Sequence, residues 1–285
     1  MSMKKKWHLN SRYLNLSHNQ IGGSLPKNIG HMMPYLENLF LGNNHLNGSI
    51  PTSLCQSQLN NLDLSKNNLS GEIPNCWEDN QGWLIEINLS SNKLAGTFPS
   101  SFKNLFSLFW LHLNNNSLQG ELPTSFGYLK QLLILDLGEN QLSGSIPSSW
   151  TTFTFPSLQV LRLRQNMFSG SIPSQLCQLK SLQILDLSRN KLQGPIPRCI
   201  GSLEGMRLGK SISSIHIHSY ESIADASKIW SNEFLTEVDG QPPTAIVVDA
   251  QTPTASDDEW SNQDVTEMVK GMELLKPKGM EMKMG

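Results

Sequence analysis

The chain of 285 residues is long enough to form one large domain or two small ones. Only 16% of the residues are charged and the formal net charge is −2, so the sequence offers no basic face for a nucleic acid. No run of 18 or more apolar residues occurs, so no membrane span is predicted in this sequence. Residues 1–203 carry 15 Lys and Arg against 10 Asp and Glu, whereas residues 204–285 carry 7 against 14. This step in charge predicts two segments of different character.

The pattern L-x-L-x-x-N-x-L-x-G-x-I-P recurs eight times within residues 9–203. Two Leu separated by one variable residue predict a short, half-buried strand. The Gly allows a backbone conformation that a side chain would block, and the Pro prevents a ladder or helix from continuing through it. We expect the Asn amide to satisfy backbone groups at the turn, and stacked copies to form an internal ladder. The Asn residues, 23 to 26 positions apart, are Asn19, Asn44, Asn67, Asn92, Asn116, Asn140, Asn166 and Asn190.

One such repeat cannot bury its Leu face alone, so neighbouring repeats must stack and share a core. The sequence therefore predicts a right-handed, curved leucine-rich-repeat solenoid over residues 1–203. A parallel β-sheet is expected on the concave face, with turns and short 3₁₀ helices on the convex face. Residues 204–285 contain no repeat, and we expect an acidic, irregular loop-out and tail with little order.

The four cysteines form two pairs with the same spacing. In each pair, one Cys lies 11 residues after the Asn of its repeat and the other lies 9 residues after the next Asn. Equivalent positions of neighbouring repeats lie side by side, so we predict disulfides Cys55–Cys76 and Cys177–Cys199. Each is worth about 3 kcal/mol in the chain-entropy model. The alternative is four buried thiols in a cytosolic protein; a zinc site is disfavoured because no C-x₂-C spacing occurs.

Other features bear on the compartment. N-x-S/T sequons predict glycosylation, although a repeat rich in Asn and Ser also generates them by composition. Together with the cysteine spacing they favour an extracellular protein. The basic start, Met1–Lys6, is not followed by the apolar stretch of about 7–15 residues that a signal peptide needs, so no export signal is expected there. The sequons lie at Asn15, Asn47, Asn68, Asn88 and Asn115.

We expect a ligand on the concave face, where the variable residues between and after the two Leu line up in columns. Trp110 and His112 offer an aromatic ring and an imidazole in the fifth repeat, and three Arg cluster near acidic residues in the last repeats. The alternatives are surface ion pairs worth under about 1 kcal/mol each for the Arg cluster, and partial burial for Trp110. The predicted ligand-binding residues are Phe40, Trp110, His112, Glu139, Arg162, Arg164 and Arg189.

Signatures of catalysis do not occur in the sequence. Kinase, hydrolase-elbow, metalloprotease and P-loop patterns are all missing. His216 and His218 could face one side of a strand and bind a metal ion, but no third ligand lies nearby in the sequence. We therefore expect a non-catalytic protein with no metal or cofactor.

The L-x-G-x-I-P variant, as in Leu142–Pro147, resembles the plant-specific class of extracellular leucine-rich repeats. That class includes receptor-like kinases, receptor-like proteins and polygalacturonase inhibitors, and the resemblance covers nearly all of residues 9–203. The segment Trp260–Leu274, with Val269-Lys-Gly-Met-Glu273, is similar to the segment that precedes the last repeats of plant receptor-like proteins. The final repeats, the membrane helix and the N-terminal cap of that family do not appear. We interpret the sequence as an internal or truncated piece of such a receptor.

The resemblance implies a ligand-binding fragment of a plant cell-surface receptor-like protein in defence or developmental signalling. Its expected partners are a protein, peptide or glycan ligand on the concave face and a co-receptor kinase. Its expected location is the extracellular face of the plasma membrane. One alternative is a secreted inhibitor of a cell-wall-degrading enzyme, which the receptor-like tail disfavours. Another is a truncated product without independent function, because uncapped repeats would expose apolar core at both ends.

Overall fold

The computed structural model describes residues 11–77, 83–208 and the strand 245–247. Eight stacked repeats run from residue 11 to residue 203. A repeat contains a short strand, a turn and, in most copies, a second short strand and a single helical turn. Met1–Lys6, the pair His216 and His218, and the segment Trp260–Leu274 lie outside the described residues.

The first strands of the repeats form one parallel main sheet in which each strand pairs with its counterpart in the next repeat. Leu135, for example, is the register partner of both Leu111 and Leu161. All three are fully buried, so the residues on either side of each Leu lie on the opposite surface, which we call the main-sheet face. The nine strands are Tyr13–Asn15, Asn38–Phe40, Asn61–Asp63, Glu86–Asn88, Trp110–His112, Ile134–Asp136, Val160–Arg162, Ile184–Asp186 and Ala245–Val247.

A second parallel sheet follows the turn of each repeat, where the sequence predicted only irregular chain. Four of its six strands begin just before the Leu of the L-x-G pattern and include the Gly, whereas Gly22–Ser24 begins after Ile21 and Gln141–Ser143 ends just before Gly144. Gly144 has φ +81°, in the region that favours glycine, so this residue type is needed where the chain leaves the strand. The six strands are Gly22–Ser24, His45–Gly48, Asn68–Glu72, Lys93–Gly96, Ser117–Glu121 and Gln141–Ser143, and a separate pair is formed by Ser169–Gly170 and Lys191–Leu192.

Short 3₁₀ helices return the chain to the next strand, as predicted. Each of the five whose full range lies in the described residues follows the Pro of the repeat, whose φ lies between −58° and −71°. Because proline holds φ in this range and lacks an N–H, it suits the residue that precedes a helical turn. The 3₁₀ helices are Thr52–Gln56, Ser100–Asn104, Thr124–Tyr128, Ser174–Gln178 and Arg198–Ser202, and two short α-helices are Ile29–Met32 and Glu204–Leu208.

One hydrophobic core runs between the main sheet and the helical turns through all eight repeats. Leu fills most of it, and large aromatic side chains fill the wider spaces. Trp150 and Phe155, for example, are almost fully buried and meet edge to face with ring centroids 5.3 Å apart. Burial of such side chains stabilises the solenoid by about 1.5–3 kcal/mol each.

The predicted asparagine ladder is present. The Asn140 Nδ2 group donates to the carbonyl oxygens of Leu113, Leu137 and Gly138 at 3.0, 3.1 and 3.0 Å. Its Oδ1 accepts the N–H of Leu118 at 3.0 Å. Leu113 and Leu118 belong to the preceding repeat, so the amide joins two repeats. Equivalent bonds are made by Asn44, Asn67, Asn92, Asn116, Asn166 and Asn190.

Both predicted disulfides are present. Cys55 and Cys76 have Cα atoms 5.7 Å apart, and Cys177 and Cys199 have Cα atoms 5.8 Å apart. Each disulfide joins the 3₁₀ region of one repeat to the same region of the next. The bonds therefore tie neighbouring repeats together on the side opposite the main sheet.

Part of the segment 204–285 joins the solenoid. The strand Ala245–Val247 pairs in register with Ile184–Asp186 and adds a ninth strand to the main sheet. The sequence analysis placed this stretch outside the repeats, because residues 204–285 contain no repeat. Ile246 and Val247 nonetheless favour extended backbone, and the strand pairs with what would otherwise be an open edge of the sheet.

Substitution of a ladder residue tests the role of the amide. Asn140→Ala removes four hydrogen bonds and leaves the buried Leu118 N–H without its acceptor. We expect the free energy of unfolding, measured by denaturant titration, to fall by about 2–4 kcal/mol. The control is Gln141→Ala at the exposed next residue, which should change it by less than about 0.5 kcal/mol. Equal effects of the two substitutions would contradict a structural role for the ladder.

Candidate functional site

The main-sheet face carries two columns of side chains, one on each side of the buried Leu. The first column precedes that Leu and the second column follows it. Neighbouring members of a column lie on adjacent strands, about 4.8 Å apart. The first column is Tyr13, Asn38, Asn61, Glu86, Trp110, Ile134, Val160 and Ile184, and the second is Asn15, Phe40, Asp63, Asn88, His112, Asp136, Arg162 and Asp186.

Five of the eight residues in the second column stabilise the backbone through a side-chain hydrogen bond. Each is Asn or Asp, and its Oδ1 accepts the backbone N–H two residues further on, where the strand ends. For Asp63 and Asn88 these distances are 2.9 and 3.2 Å. Such Asx turns satisfy an N–H that the strand no longer pairs. The five are Asn15, Asp63, Asn88, Asp136 and Asp186.

The remaining members of the second column are Phe40, His112 and Arg162, which make no Asx turn. The sequence analysis selected the same three as ligand-binding candidates, on their chemical character alone. Phe40 is half-buried and contacts Tyr13, with ring centroids 5.6 Å apart. It lies three strands from His112, about 14 Å away, so the predicted residues do not form one cluster.

The predicted Arg residues in the seventh and eighth repeats contact the preceding repeats. Arg162 pairs with Asp136 at 3.6 Å, and Arg164 pairs with Glu139. These are the inter-strand ion pairs that the sequence analysis held as the alternative to a binding site. The Arg162 side chain is 18% exposed, whereas that of Arg164 is 48% exposed. Because exposed ion pairs contribute little to stability, the Arg164 guanidinium can exchange its partner at small cost.

Two of the predicted residues occupy a strained backbone position. Glu139 and Arg189 directly precede ladder asparagines, and their φ angles are +56° and +55°. The residue at this position has a positive φ in all eight repeats. Its side chain therefore leaves the face in a fixed direction. The Arg189 Nη1 group donates to Gln165 Oε1 of the preceding repeat at 3.4 Å.

Trp110 is buried, which is the alternative that the sequence analysis held to an accessible ring. It is 8% exposed because it packs into a second hydrophobic cluster on the main-sheet face, separate from the Leu core. Its ring lies 6.1 Å from that of Phe109. Its Nε1 group has no hydrogen-bond partner among the described residues. We call this cluster the apolar patch; it comprises Ile85, Phe109, Trp110, Leu133, Ile134, Val160 and Ile184.

The sequence analysis missed the apolar patch because it considered only positions between and after the two Leu. A signal was present in the first column. Its residues change from Asn61 and Glu86 in the third and fourth repeats to Trp110 and Ile134 in the fifth and sixth. Such a change from polar to apolar along one column indicates a second cluster of apolar side chains outside the Leu core.

Glu86 and His112 have perturbed acidity on this face. Burial raises the pKa of Glu86 to about 8, and the nearby Asp63 carboxylate raises it further. Burial lowers the pKa of His112 to about 4, and the positive charge of Arg162 contributes to the same shift. His112 is therefore uncharged at neutral pH. The sequence could not indicate either shift, because both depend on neighbours from other repeats.

The five sequons remain predictions of glycosylation. Asn47 and Asn68 are exposed register partners on the second sheet, and Asn15 and Asn115 are exposed elsewhere. Asn88 is half-buried, and its Oδ1 accepts bonds from Ser90. A glycan on Asn88 would therefore be more crowded than one on the second sheet.

The acidity of Glu86 predicts a pH-dependent stability. Its pKa is 4.5 before folding and about 8 in the fold, so the stability it contributes is fully present below pH 4.5 and is lost as the pH rises through 8. Glu86→Gln keeps the uncharged form at every pH. We expect the variant to be about 1–3 kcal/mol more stable than the wild type at pH 8.5, with the difference vanishing near pH 4.

The measurement is thermal unfolding of both proteins across this pH range. The control is Glu121→Gln, which alters an exposed carboxylate on the second sheet. A stability difference between Glu86→Gln and wild type that stayed constant with pH would contradict the raised pKa.

Comparison with known proteins identifies the repeats. Family models described as leucine rich repeat match residues 10–32, 35–57, 58–80, 83–142, 157–179 and 181–203. Comparison with curated proteins gives no match. Among the described residues, no helix is long and apolar enough to cross a membrane.

Several solved plant receptors are similar to the chain. The plant peptide hormone receptor RGFR1 in complex with RGF2 has a TM-score of 0.65 and 36% identity, over 68% of this chain and 31% of that one. The ectodomain of GASSHO1/SCHENGEN3 from Arabidopsis thaliana, in complex with CASPARIAN STRIP INTEGRITY FACTOR 2, has a TM-score of 0.64 and 38% identity, over 67% and 23%. The Arabidopsis receptor kinase HAESA, in complex with IDA and the co-receptor SERK1, has a TM-score of 0.62 and 38% identity, over 67% and 32%.

The chain therefore spans between 23% and 32% of the length of these three structures. The matched repeats make up more than half of the chain, and they include all eight copies of the pattern found in the sequence. The chain belongs to the leucine-rich-repeat family, and its solenoid is of the kind found in plant receptor ectodomains.

Proposed function

We propose that the chain is the ligand-binding region of a plant cell-surface receptor-like protein and that it binds a peptide on the main-sheet face. The observation that carries this proposal is the pair of exposed arginines, Arg164 and Arg189, on the same face as the half-buried Ile85 and Phe109 of the apolar patch. Among the similar receptors, RGFR1 is a peptide hormone receptor in complex with RGF2, and HAESA is in complex with the peptide hormone IDA. This likeness favours a peptide over a glycan.

The dimensions of the face suit a short extended peptide. The apolar patch extends from Ile85 in the fourth repeat to Ile184 in the eighth, which is four strand spacings or about 19 Å. A peptide that runs across the strands at about 3.3 Å per residue would cover this length with roughly six residues. Its apolar side chains would contact the half-buried members of the patch, Ile85 and Phe109.

The arginines offer a second kind of contact. A guanidinium group presents several N–H donors in a fixed plane and can bind a carboxylate through two of them. Arg164 and Arg189 are exposed on the described surface and can reach a ligand while Arg162 stays partly buried beside Asp136. We therefore assign recognition of an acidic group of the ligand to the seventh and eighth repeats.

The wider role follows by analogy. We place the protein at the extracellular face of the plasma membrane, since the similar structures include receptor ectodomains and disulfides persist in oxidising compartments. The HAESA complex contains the co-receptor SERK1, and we propose a co-receptor kinase as the second partner here. Defence and development are both compatible with such a receptor. No specific observation favours the secreted inhibitor of a cell-wall-degrading enzyme that the sequence left open.

The test uses the full chain, secreted from insect cells behind an added signal peptide. A random dodecapeptide display library is selected on it, and the enriched peptides are synthesised and titrated. We expect Arg164→Ala combined with Arg189→Ala to weaken their binding by at least about ten-fold, or 1.4 kcal/mol.

The control is Arg198→Ala, which removes an exposed arginine from a 3₁₀ helix on the other side of the solenoid. It should leave the affinity unchanged. Failure of the wild type to enrich any peptide would refute the proposed peptide binding, and so would enriched peptides that bind the double variant as well as the wild type.

A further inference from the structure

We propose that the return segments of the fourth to sixth repeats form a docking surface for a folded protein domain that carries an apolar pocket rimmed by Asp and Glu. A return segment is the stretch from the Pro of one repeat to the main-sheet strand of the next. Phe106, Tyr128 and Phe153 lie on three consecutive return segments, and we call them the aromatic surface. They lie outside the main-sheet strands, so this docking goes beyond the proposed peptide binding and does not depend on it.

The three rings are exposed on segments that bury other aromatic residues. Phe106, Tyr128 and Phe153 are 54%, 59% and 84% exposed, whereas Trp150 and Phe155, on either side of Phe153, are 0% and 1% exposed. An aromatic side chain has about 150–250 Å² to bury, so the three rings present roughly 400 Å² to the solvent. An apolar patch of this size is as large as the largest one on a typical monomer, and such patches commonly mark interaction sites.

The segments that carry the three rings pack against each other. A Cβ atom added to Gly127, directly before Tyr128, would lie 3.0 Å from the Cγ2 atom of Thr154, directly after Phe153. The segments of Phe106 and Tyr128 are joined in a similar way, because the ring of the residue before Pro99 meets a ring of the next 3₁₀ helix edge to face, with centroids 5.0 Å apart. The aromatic surface therefore lies on neighbouring repeats of one side of the solenoid.

Phe153 is presented by a hydrogen-bonded turn. The sixth repeat has the longest interval between successive ladder asparagines, 26 residues, which gives room for this turn. The Thr151 carbonyl oxygen accepts the N–H groups of Thr154 and Phe155 at 3.0 and 2.9 Å, and the Phe153 N–H donates to Thr151 Oγ1 at 3.2 Å. Because this backbone is already ordered, insertion of Phe153 into a pocket loses little conformational entropy. A pre-ordered, protruding aromatic residue suits the anchor of a protein interface.

The charges around the aromatic surface have one sign. Lys103, Lys130 and Lys180 are exposed, and within the described part of the chain none of them forms an ion pair. A partner is therefore expected to place Asp or Glu around its pocket. Two copies of this chain docked symmetrically through this surface would bring like charges together, which disfavours a second copy as the partner. These three Lys, and no Asp or Glu, occur in the return segments 99–109, 123–133, 147–159 and 173–183.

The side chains favour a folded protein over a polysaccharide or a membrane. Phe106 and Phe153 have no hydrogen-bonding group, so they contribute to binding by entering apolar surroundings, which a pocket in a folded protein supplies. Recognition of an anionic membrane generally takes about four to eight clustered Lys or Arg, more than these segments carry. A stable protein interface buries about 800 Å² on each partner. The aromatic surface would form the centre of such an interface and the Lys residues its rim.

The test selects a displayed library of small three-helix domains with a randomised surface on the full, secreted chain. The enriched domains should combine apolar residues with Asp or Glu on that surface. We expect Tyr128→Ser combined with Phe153→Ser to weaken their binding by at least about 30-fold. The control is Tyr35→Ser, which removes an equally exposed ring from the return segment of the first repeat and should leave the affinity unchanged.

A second set of variants tests the charges at the rim. Lys103→Glu combined with Lys130→Glu should weaken the binding of the enriched domains by about ten-fold at low salt, and the loss should shrink at high salt because exposed charges are screened. The control is Lys93→Glu, which alters an exposed Lys of the second sheet and should have no effect. Circular dichroism confirms that each variant is folded.

Several results would overturn the docking surface. They are the absence of any enriched domain, enriched domains that bind the Tyr128 and Phe153 double variant as well as the wild type, and enriched domains that carry no Asp or Glu. Light scattering that shows wild-type dimers, lost in the double variant, would replace the partner by a second copy. Sedimentation of the wild type with vesicles of phosphatidylcholine and phosphatidylserine, again lost in the double variant, would replace it by a membrane. Peptide binding is tested separately by the variants of Arg164 and Arg189.

Discussion

The structure depends on one amide per repeat. Where the chain turns after each main-sheet strand, backbone carbonyls point inward and the ladder asparagine donates to three of them. One of the three lies in the preceding repeat, and the Oδ1 atom accepts an N–H from that repeat as well. The amide therefore sets how each repeat lies on the one before it. Without it, buried backbone groups would lose their partners in every turn.

A fixed stacking has a consequence for function. Because every main-sheet strand is held in register, each position of the repeat becomes a column on the main-sheet face. Five residues in the second column form Asx turns, so the hydrogen-bonding needs of the backbone determine which residue type occurs there. Phe40, His112 and Arg162 form no Asx turn. These three positions can therefore carry other side chains without loss of an Asx turn.

Features with a fixed spacing could be predicted from the sequence, and those that depend on neighbours across the sheet could not. The repeats, the ladder, the 3₁₀ helices and the disulfide Cys55–Cys76 all follow from a pattern repeated at 23 to 26 residues. The burial of Trp110 depends on Phe109 and on side chains of adjacent strands, which no single repeat contains. The strand Ala245–Val247 has no repeat signature, so only its pairing with Ile184–Asp186 reveals it.

The acidic and basic residues of the main-sheet face lie at opposite ends of the apolar patch. Glu86 and Asp63 lie at one end of the apolar patch, and Arg162 and Arg164 lie three strands beyond Glu86, about 14 Å away. An extended peptide crosses that distance in about four residues. Because burial raises the pKa of Glu86 to about 8, the carboxyl end carries little charge at neutral pH, whereas the guanidinium end keeps its positive charge. Under the proposed peptide binding, an acidic group of the peptide would therefore be drawn to the arginine end, which would set the direction of the bound peptide.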